Sequence, residues 1–158
     1  MSAVLTNAEP LSLTLRPMTA DDLPAILEIE QRCYTHPWRE KTFADCLRAG
    51  YSSFVAMQQS RVCGYFVVLI AVDEAQLLNI CIDSTLHGQG YGYWLLNQLQ
   101  QQAVEAGADN IFLEVRQSND KAIRLYEKFG FIEHGVRRGY YPLDGKQRED
   151  AVLMAMYC

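Results

Sequence analysis

The sequence predicts an α/β (α+β) fold, with a mixed, mostly antiparallel central sheet of about seven strands and helices on both faces. Strand-like and helix-like segments follow one another in the order strand, two helices, three strands, helix, strand, helix, two strands, which is typical of such a sheet. A length of 158 residues suits a single domain, which we expect to span 11–158 after a flexible leader at 1–10. The hydrophobic fraction of 49% excludes a largely disordered chain.

A strand and two helices are predicted in the first third of the chain. Residues 11–16 alternate between apolar and polar, which is the period of a half-buried strand. Thr19, with an acidic residue three positions later, is typical of a helix start, and apolar residues then recur at helical spacing as far as Cys33. The segment 36–38 contains a proline that interrupts this helix, and a shorter helix is expected over 39–48.

Three strands and the longest helix are predicted in the middle of the chain. Short polar connections separate 52–57, 62–72 and 75–83, so we expect these strands to form antiparallel hairpins at the centre of the sheet. Leucine and alanine recur every three or four residues over 90–106, and Gly107 ends this amphipathic helix.

A strand, a helix and a strand pair complete the predicted fold. Apolar residues alternate over 110–116, which indicates a strand with one buried face. Asn119 is a suitable N-cap for the following helix, which ends at Gly130. Residues 131–138 and 148–157 are predicted to pair as the closing strands.

The charge distribution limits the kinds of partner. The chain carries 14 basic and 19 acidic side chains, and this net charge of −5 argues against general affinity for nucleic acids and favours a cationic acceptor. No Lys or Arg occurs from Val62 to Val115, although acidic residues do. An anion bound in that window must therefore be held mainly by backbone groups.

Cysteine and histidine usage indicates a reducing compartment without a metal site. The five cysteines show no paired metal-ligand spacing, which predicts reduced, mostly buried thiols in a cytoplasmic protein. No apolar run approaches the length of about 18 to 20 residues that spans a bilayer, so we expect neither export nor membrane insertion. His36 and His134 are predicted to serve packing or turns, because no ligand cluster accompanies them.

A glycine-rich turn joins the third middle strand to the long helix. Gly88, Gly90 and Gly92 surround the helix start, where free N–H groups and the positive end of the helix dipole attract phosphate. The dinucleotide fingerprint requires a glycine at the position of Tyr93, and a Walker A loop requires Gly-Lys-Ser/Thr, so neither motif is present. The alternative is that the glycines only make a tight strand-to-helix connection.

This turn resembles motif A of the GNAT N-acetyltransferases, in which a strand, the pattern Q/R-x-x-G-x-G/A and a helix follow one another. Both glycines of the pattern match, whereas His87 stands where Gln or Arg is usual and Ser84 stands where Pro is common. The resemblance implies that acetyl-CoA binds here as co-substrate, with its pyrophosphate on backbone amides. It assigns to the coenzyme Ile80, Cys81, Ile82, Gly88, Gln89, Gly90, Tyr91, Gly92, Tyr93 and Asn119.

A longer set of residues, within 11–156, resembles the bacterial RimI type of this family. Its most distinctive parts are Pro37-Trp38, Leu113-Glu114-Val115-Arg116 and Arg138-Gly139-Tyr140-Tyr141-Pro142. This resemblance implies an acyltransferase that moves acetyl directly to the N-terminal alanine of ribosomal protein S18 in a ternary complex. We expect a monomer with no nucleic-acid or membrane partner. The alternatives are a GNAT enzyme acting on other protein N-termini, lysines or small amines, and a non-catalytic CoA-binding module.

Two residues are candidates for proton transfer. One carboxylate is an adequate base for an α-ammonium group with a pKa of about 8, and Glu114 lies on the less apolar face of its strand. Its alternative is an ion pair with Arg116 or Arg138. The resemblance implies that Glu114 is the general base and Tyr126 the general acid, although Tyr126 could also be a core aromatic.

Aromatic residues are candidates for recognising the acceptor. Trp38, Tyr140 and Tyr141 are expected to flank two loops that wall a groove for an extended peptide terminus. Alternatively, Trp38 anchors a helix to the core. Cys81 as an acyl-carrying nucleophile is the poorer hypothesis, since no cation nearby in the sequence would lower the pKa of its thiol.

Overall fold

A seven-stranded mixed sheet organises the part of the chain that this computed structural model describes, residues 12–158. Its strands are β1 (Leu13–Pro17), β2 (Ser52–Gln58), β3 (Arg61–Ala71), β4 (Glu74–Ile82), β5 (Asn110–Arg116), β6 (Ile132–Pro142) and β7 (Arg148–Tyr157). The helices are α1 (Leu23–Cys33), α2 (Glu40–Arg48), α3 (Tyr91–Glu105) and α4 (Asp120–Phe129). The predicted fold class is thereby confirmed. The predicted leader at 1–10 lies outside the described residues.

The order of strands across the sheet is β1-β2-β3-β4-β5-β7-β6. β2 runs antiparallel to both β1 and β3, and β7 runs antiparallel to both β5 and β6. β4 and β5 are parallel, with registered pairs from Glu74↔Asn110 to Gln76↔Phe112. The sheet is therefore mostly antiparallel, and its parallel pair carries both the strand that leads into the glycine turn and the strand that contains Glu114.

The chain divides into two compact units. The first consists of residues up to Val68 together with Asn79–Leu99, and the second consists of Leu69–Leu78 together with Gln100–Cys158. Glycine-turn residues belong to the first unit, and Glu114 belongs to the second.

The first unit has an apolar core contributed by its helices and strands. Ile26 of α1, Phe43 of α2, Phe66 of β3 and Leu95 of α3 are all fully buried. Removal of a side chain of this kind from water stabilises the fold by about 1.5–3 kcal/mol. The helical periodicity seen in the sequence therefore does mark the buried face of α1 and of α3.

The second unit buries one face of β5 against its neighbours. Ile111, Leu113 and Val115 are buried, while the residues between them are half-buried, so the predicted alternation holds along this strand. Leu113 pairs with Met154 of β7, which is also fully buried. Glu114 therefore lies on the opposite face from this core.

The strand β6 is longer than the predicted strand 131–138, and it continues through Tyr140 and Tyr141. The register between β6 and β7 shifts between Arg137 and Tyr141. Gly139 makes this shift possible, because it adopts a φ of +57° and donates its N–H to Asp150 Oδ1 at 2.9 Å. Beyond this bulge the pairing resumes with Tyr141↔Glu149, so the predicted end of the strand at residue 138 was wrong.

Candidate active site

The glycine turn is a strained backbone segment with open space beside it. Gly88 and Gly90 have φ angles of +81° and +83°, and a Cβ atom at either position would meet nothing within 4 Å. The helical ladder begins when Trp94 donates its N–H to the Gly90 carbonyl at 3.2 Å. Both glycines are therefore required by backbone conformation, and the amides before the ladder have no intrahelical acceptor. This arrangement fits a phosphate group.

His87 is turned back towards the end of β4. Its Nε2 lies 2.7 Å from the carbonyl oxygen of Ile82. Because a carbonyl oxygen only accepts, Nε2 must carry the proton in this contact. His87, which stands where the family pattern has Gln or Arg, therefore joins the turn to the end of β4 by a hydrogen bond.

A buried aspartate anchors the entry to the turn. The Asp83 side chain is 1% exposed, and it lies 3.0 Å from Arg32 and 2.8 Å from Arg61. It also accepts the Thr85 N–H at 3.2 Å. Burial alone would raise the pKa of Asp83, but the Thr85 N–H and the two guanidinium groups together lower it. Two cations from outside the cation-free window thus reach the turn, which the sequence did not predict.

A second buried carboxylate that the sequence analysis missed lies beside β4. Glu30 is 2% exposed. Its Oε1 accepts hydrogen bonds from the Tyr65 hydroxyl at 2.6 Å and from the Asn79 side-chain amide at 3.0 Å. Its Oε2 accepts a hydrogen bond from the backbone N–H of Trp38 at 2.9 Å. Burial raises the pKa of Tyr65, so this hydroxyl remains a donor. The sequence pattern that could have identified Glu30 is its position four residues after Ile26, which places an acidic residue on the apolar face of α1.

The end of β4 contains the residues expected to contact the coenzyme by backbone. The Ile80 carbonyl accepts the Tyr34 hydroxyl, and the Ile82 carbonyl accepts the thiols of Cys33 and Cys81, both at 3.5 Å. The hydrogen bond with Cys33, followed by burial, raises the pKa of Cys81. A thiolate at Cys81 is therefore disfavoured, which agrees with the sequence argument against a nucleophilic role.

Glu114 forms an ion pair in the second unit. Its Oε2 lies 3.2 Å from Nη1 of Arg137, but the pair lacks hydrogen-bond geometry, and Oε2 has no hydrogen-bond partner within residues 12–158. The expected alternative partners were Arg116 and Arg138. Arg116 instead pairs with Glu149 at 2.9 Å. Glu114 therefore has a neighbouring cation, and its buried Oε2 accepts no hydrogen bond from residues 12–158.

Tyr126 and Asn119 both lie on α4. Tyr126 is 9% exposed, and its ring packs edge-on against Phe131 with 5.7 Å between centroids. Asn119 caps the helix by accepting the Ala122 N–H at 3.2 Å, as its capping role predicts. The aromatic packing of Tyr126 and the cap of Asn119 are structural roles, and neither contact involves the phenolic hydroxyl or the amide nitrogen.

The three candidate recognition aromatics are held by neighbouring side chains. Trp38 packs on Phe43, with 5.0 Å between ring centroids. In the other unit, the ring centroids of Tyr140 and Tyr141 are 4.9 Å apart. The guanidinium carbon of Arg137 lies 4.6 Å from the centroid of the Tyr140 ring. Burial, and secondarily the negative charge of Glu114, raises the pKa of Tyr141 to about 12. Tyr141 is therefore a neutral neighbour of the candidate base.

Among residues 12–158, no group of three or more His, Cys, Asp or Glu side chains is arranged to hold a metal ion. In that same part of the chain, no helix is long and apolar enough to cross a membrane.

Comparison with known proteins gives concordant matches. The profile of the acetyltransferase (GNAT) family matches residues 23–131. The [ribosomal protein bS18]-alanine N-acetyltransferase of Escherichia coli K12 is 42% identical over 144 residues, covering 90% of this chain and 96% of that protein. The protein of the same name from Haemophilus influenzae is 38% identical over 138 residues, covering 87% and 94%.

The fold agrees with these sequence matches. The crystal structure of the ribosomal-protein-S18-alanine N-acetyltransferase from Escherichia coli is similar with a TM-score of 0.84 and 40% identity, covering 92% of this chain and 93% of that chain. The family match spans the glycine turn and the two candidates for proton transfer, Glu114 and Tyr126, and it ends before Tyr140 and Tyr141. The chain therefore belongs to the GNAT acetyltransferase family.

Proposed function

We propose that this acyltransferase moves an acetyl group from acetyl-CoA to the N-terminal alanine of ribosomal protein S18. Relatives that carry this activity in their names are 42% and 38% identical over most of both chains, which supports the same acceptor. The observation that carries the chemistry is Glu114, a carboxylate beside Arg137 whose Oε2 keeps an open acceptor site among the described residues. Such a group is suited to take a proton from an amine.

The coenzyme is assigned to the glycine turn and to the end of β4. Two glycines with positive φ leave open space beside the backbone, and the start of α3 supplies amides that have no acceptor within the helix and a positive dipole end. The residues in the proposed coenzyme site are Ile80, Cys81, Ile82, Gly88, Gln89, Gly90, Tyr91, Gly92, Tyr93 and Asn119. When bound, acetyl-CoA supplies an acetyl group activated as a thioester.

Proton transfers are assigned to two residues of the second unit. Glu114 accepts a proton from the α-ammonium of the acceptor, so that the neutral nitrogen attacks the thioester carbonyl carbon. With the coenzyme bound, the bond from nitrogen to the acetyl carbon would form as the carbon–sulfur bond breaks, and the Tyr126 hydroxyl would give its proton to the leaving thiolate. The second proton, which the nitrogen releases as it becomes an amide, would restore the Tyr126 hydroxyl by way of solvent. Direct transfer in a ternary complex requires no acyl-enzyme, which suits the raised pKa of Cys81.

Acceptor recognition is assigned to Trp38, Tyr140 and Tyr141. The backbone N–H of Trp38 donates to Glu30, and its ring packs on Phe43, so Trp38 can present a fixed aromatic surface. The net charge of −5 favours encounter with a basic ribosomal protein. We further propose that the protein acts as a monomer in the cytoplasm, without a metal ion.

The test is a set of peptides that copy the S18 N-terminus and differ only in their first residue. The full-length protein is incubated with acetyl-CoA and each peptide, and mass spectrometry records which α-amines gain an acetyl group. We expect modification of the alanine peptide at its α-amine. Preferred acetylation of lysine side chains, polyamines or another first residue would refute the proposed acceptor, and coenzyme binding without any acetyl transfer, including to intact S18, would refute the activity.

A further inference from the structure

Two cysteines from different elements meet at one backbone carbonyl. Cys33 ends α1 and Cys81 lies near the end of β4. Both thiols donate to the carbonyl oxygen of Ile82, and each sulfur lies 3.5 Å from that oxygen. The fold thus makes a dithiol from residues far apart in the sequence.

The two thiols differ in environment. Cys33 is half-buried, whereas Cys81 is buried. The hydrogen bond from Cys81 lowers the pKa of Cys33, and the Ser84 N–H and the Arg32 charge act in the same direction against burial and Asp83. Cys33 is therefore the better nucleophile and the more accessible one, and Cys81 is an adjacent thiol able to resolve its oxidation product.

The other three cysteines lack this combination. Cys63 is fully buried, donates to the Ala56 carbonyl at 3.4 Å and has its pKa raised to about 11 by burial. Burial also raises the pKa of Cys46 and of Cys158. Among the five, Cys33 alone combines a lowered pKa with a second thiol at the same carbonyl oxygen, so oxidation should be selective.

We propose that Cys33 and Cys81 form an oxidative modification site that closes to an intramolecular disulfide when a hydroperoxide is the oxidant. The Cys33 thiolate attacks the terminal peroxide oxygen, the O–O bond breaks, and Cys33 becomes a sulfenic acid while the peroxide is reduced to an alcohol or water. The Cys81 sulfur then attacks the Cys33 sulfur, and water leaves with the Cys81 proton. In sum, two thiols lose two hydrogens and one hydroperoxide is reduced.

This bond would join the end of α1 to the strand that leads into the glycine turn. Ile82, whose carbonyl both thiols share, also receives the His87 ring and is followed by the buried Asp83. The disulfide would form whichever amine accepts the acetyl group.

The test uses the reduced full-length protein treated with equimolar hydrogen peroxide. Intact mass should fall by about 2 Da, and mapping without reductant should recover the peptides of Cys33 and Cys81 as one disulfide-linked species that dithiothreitol separates. The variants Cys33→Ser and Cys81→Ser should both lose this species. In Cys81→Ser, a gain of about 16 Da should be trapped on Cys33 by dimedone. The matched control Cys63→Ser should oxidise like the parent.

Peptide mapping of the unsubstituted chain tests the Cys33–Cys81 disulfide even if a variant fails to fold. A disulfide that includes Cys46, Cys63 or Cys158, an intermolecular dimer, or oxygen addition to Cys33 without the linked species would each overturn the proposal. So would complete alkylation of both Cys33 and Cys81 after peroxide treatment, as judged under denaturing conditions.

Discussion

Arg137 on β6 lies 3.2 Å from Glu114 on β5 without making a hydrogen bond to the buried Oε2 atom. A buried carboxylate oxygen normally has a donor, because an unsatisfied acceptor is costly. The orientation of the pair leaves Oε2 without a hydrogen-bond donor among residues 12–158, so Arg137 acts on Glu114 only through its charge.

Glu114→Gln should lower kcat/KM for the alanine peptide about 10²–10⁴-fold, the range typical of a positioned general base. Steady-state kinetics at neutral pH measure this loss, and direct binding of acetyl-CoA should be unchanged. Glu133→Gln, an exposed substitution on β6, is the matched control and should keep the parent rate. Full activity of Glu114→Gln at neutral pH would remove the base assignment.

Glu30→Gln should weaken acceptor recognition more than coenzyme recognition. Glutamine has one NH2 group in place of a carboxylate oxygen, and an NH2 group cannot accept a hydrogen bond. Whichever way the amide is oriented, its NH2 faces either the backbone N–H of Trp38 or the donors of Tyr65 and Asn79, so at least one hydrogen bond is lost. We expect the free energy of unfolding to fall by about 1–3 kcal/mol and the KM for the peptide to rise at least several-fold. The control Glu28→Gln, exposed on the same helix, should change neither. Equal effects on both substrates would indicate a purely structural role.

Asp83→Asn should destabilise the protein at neutral pH by about 1–2 kcal/mol, a modest figure because both arginine partners remain partly exposed. The folded-state pKa of Asp83 is lowered, so its contribution is complete above the unfolded value of about 3.9 and is lost as pH falls through the folded pKa. Urea unfolding of parent and variant should therefore converge in acid. A stability difference that stays constant to pH values well below 3.9 would contradict the assignment.

Gly90→Ala should impair both stability and coenzyme binding. Alanine would have to adopt the φ of +83°, which costs about 1–2 kcal/mol, although its Cβ would meet nothing within 4 Å. We expect lower thermal stability and a higher KM for acetyl-CoA, because relaxation of the turn would move the amides. Gly135→Ala is the control, since that position has no positive φ and its Cβ would make an ordinary 3.5 Å contact. Unaltered KM in Gly90→Ala would argue against the phosphate-binding role of the turn.

The local features of the sequence predicted most of the fold because they depend on short-range physics. Alternation over 110–116 identified β5 and the face that carries Glu114, and leucine spacing identified α3. Asn119 was identified as a helix cap from its chemistry alone. The end of β6 was missed, because the bulge at Gly139 depends on pairing with β7.

The sequence by itself determined the fold class, the strained glycine turn and the family-like order of motifs, since hydrophobic period and backbone preference are properties of neighbouring residues. Only the tertiary structure decided which charges meet. Arg137 pairs with Glu114, and two arginines converge on Asp83. Glu30 accepts hydrogen bonds from Trp38, Tyr65 and Asn79, and the thiols of Cys33 and Cys81 share the Ile82 carbonyl. These contacts join residues distant in the chain, and the energy that selects them is burial and charge compensation, which sequence spacing does not encode.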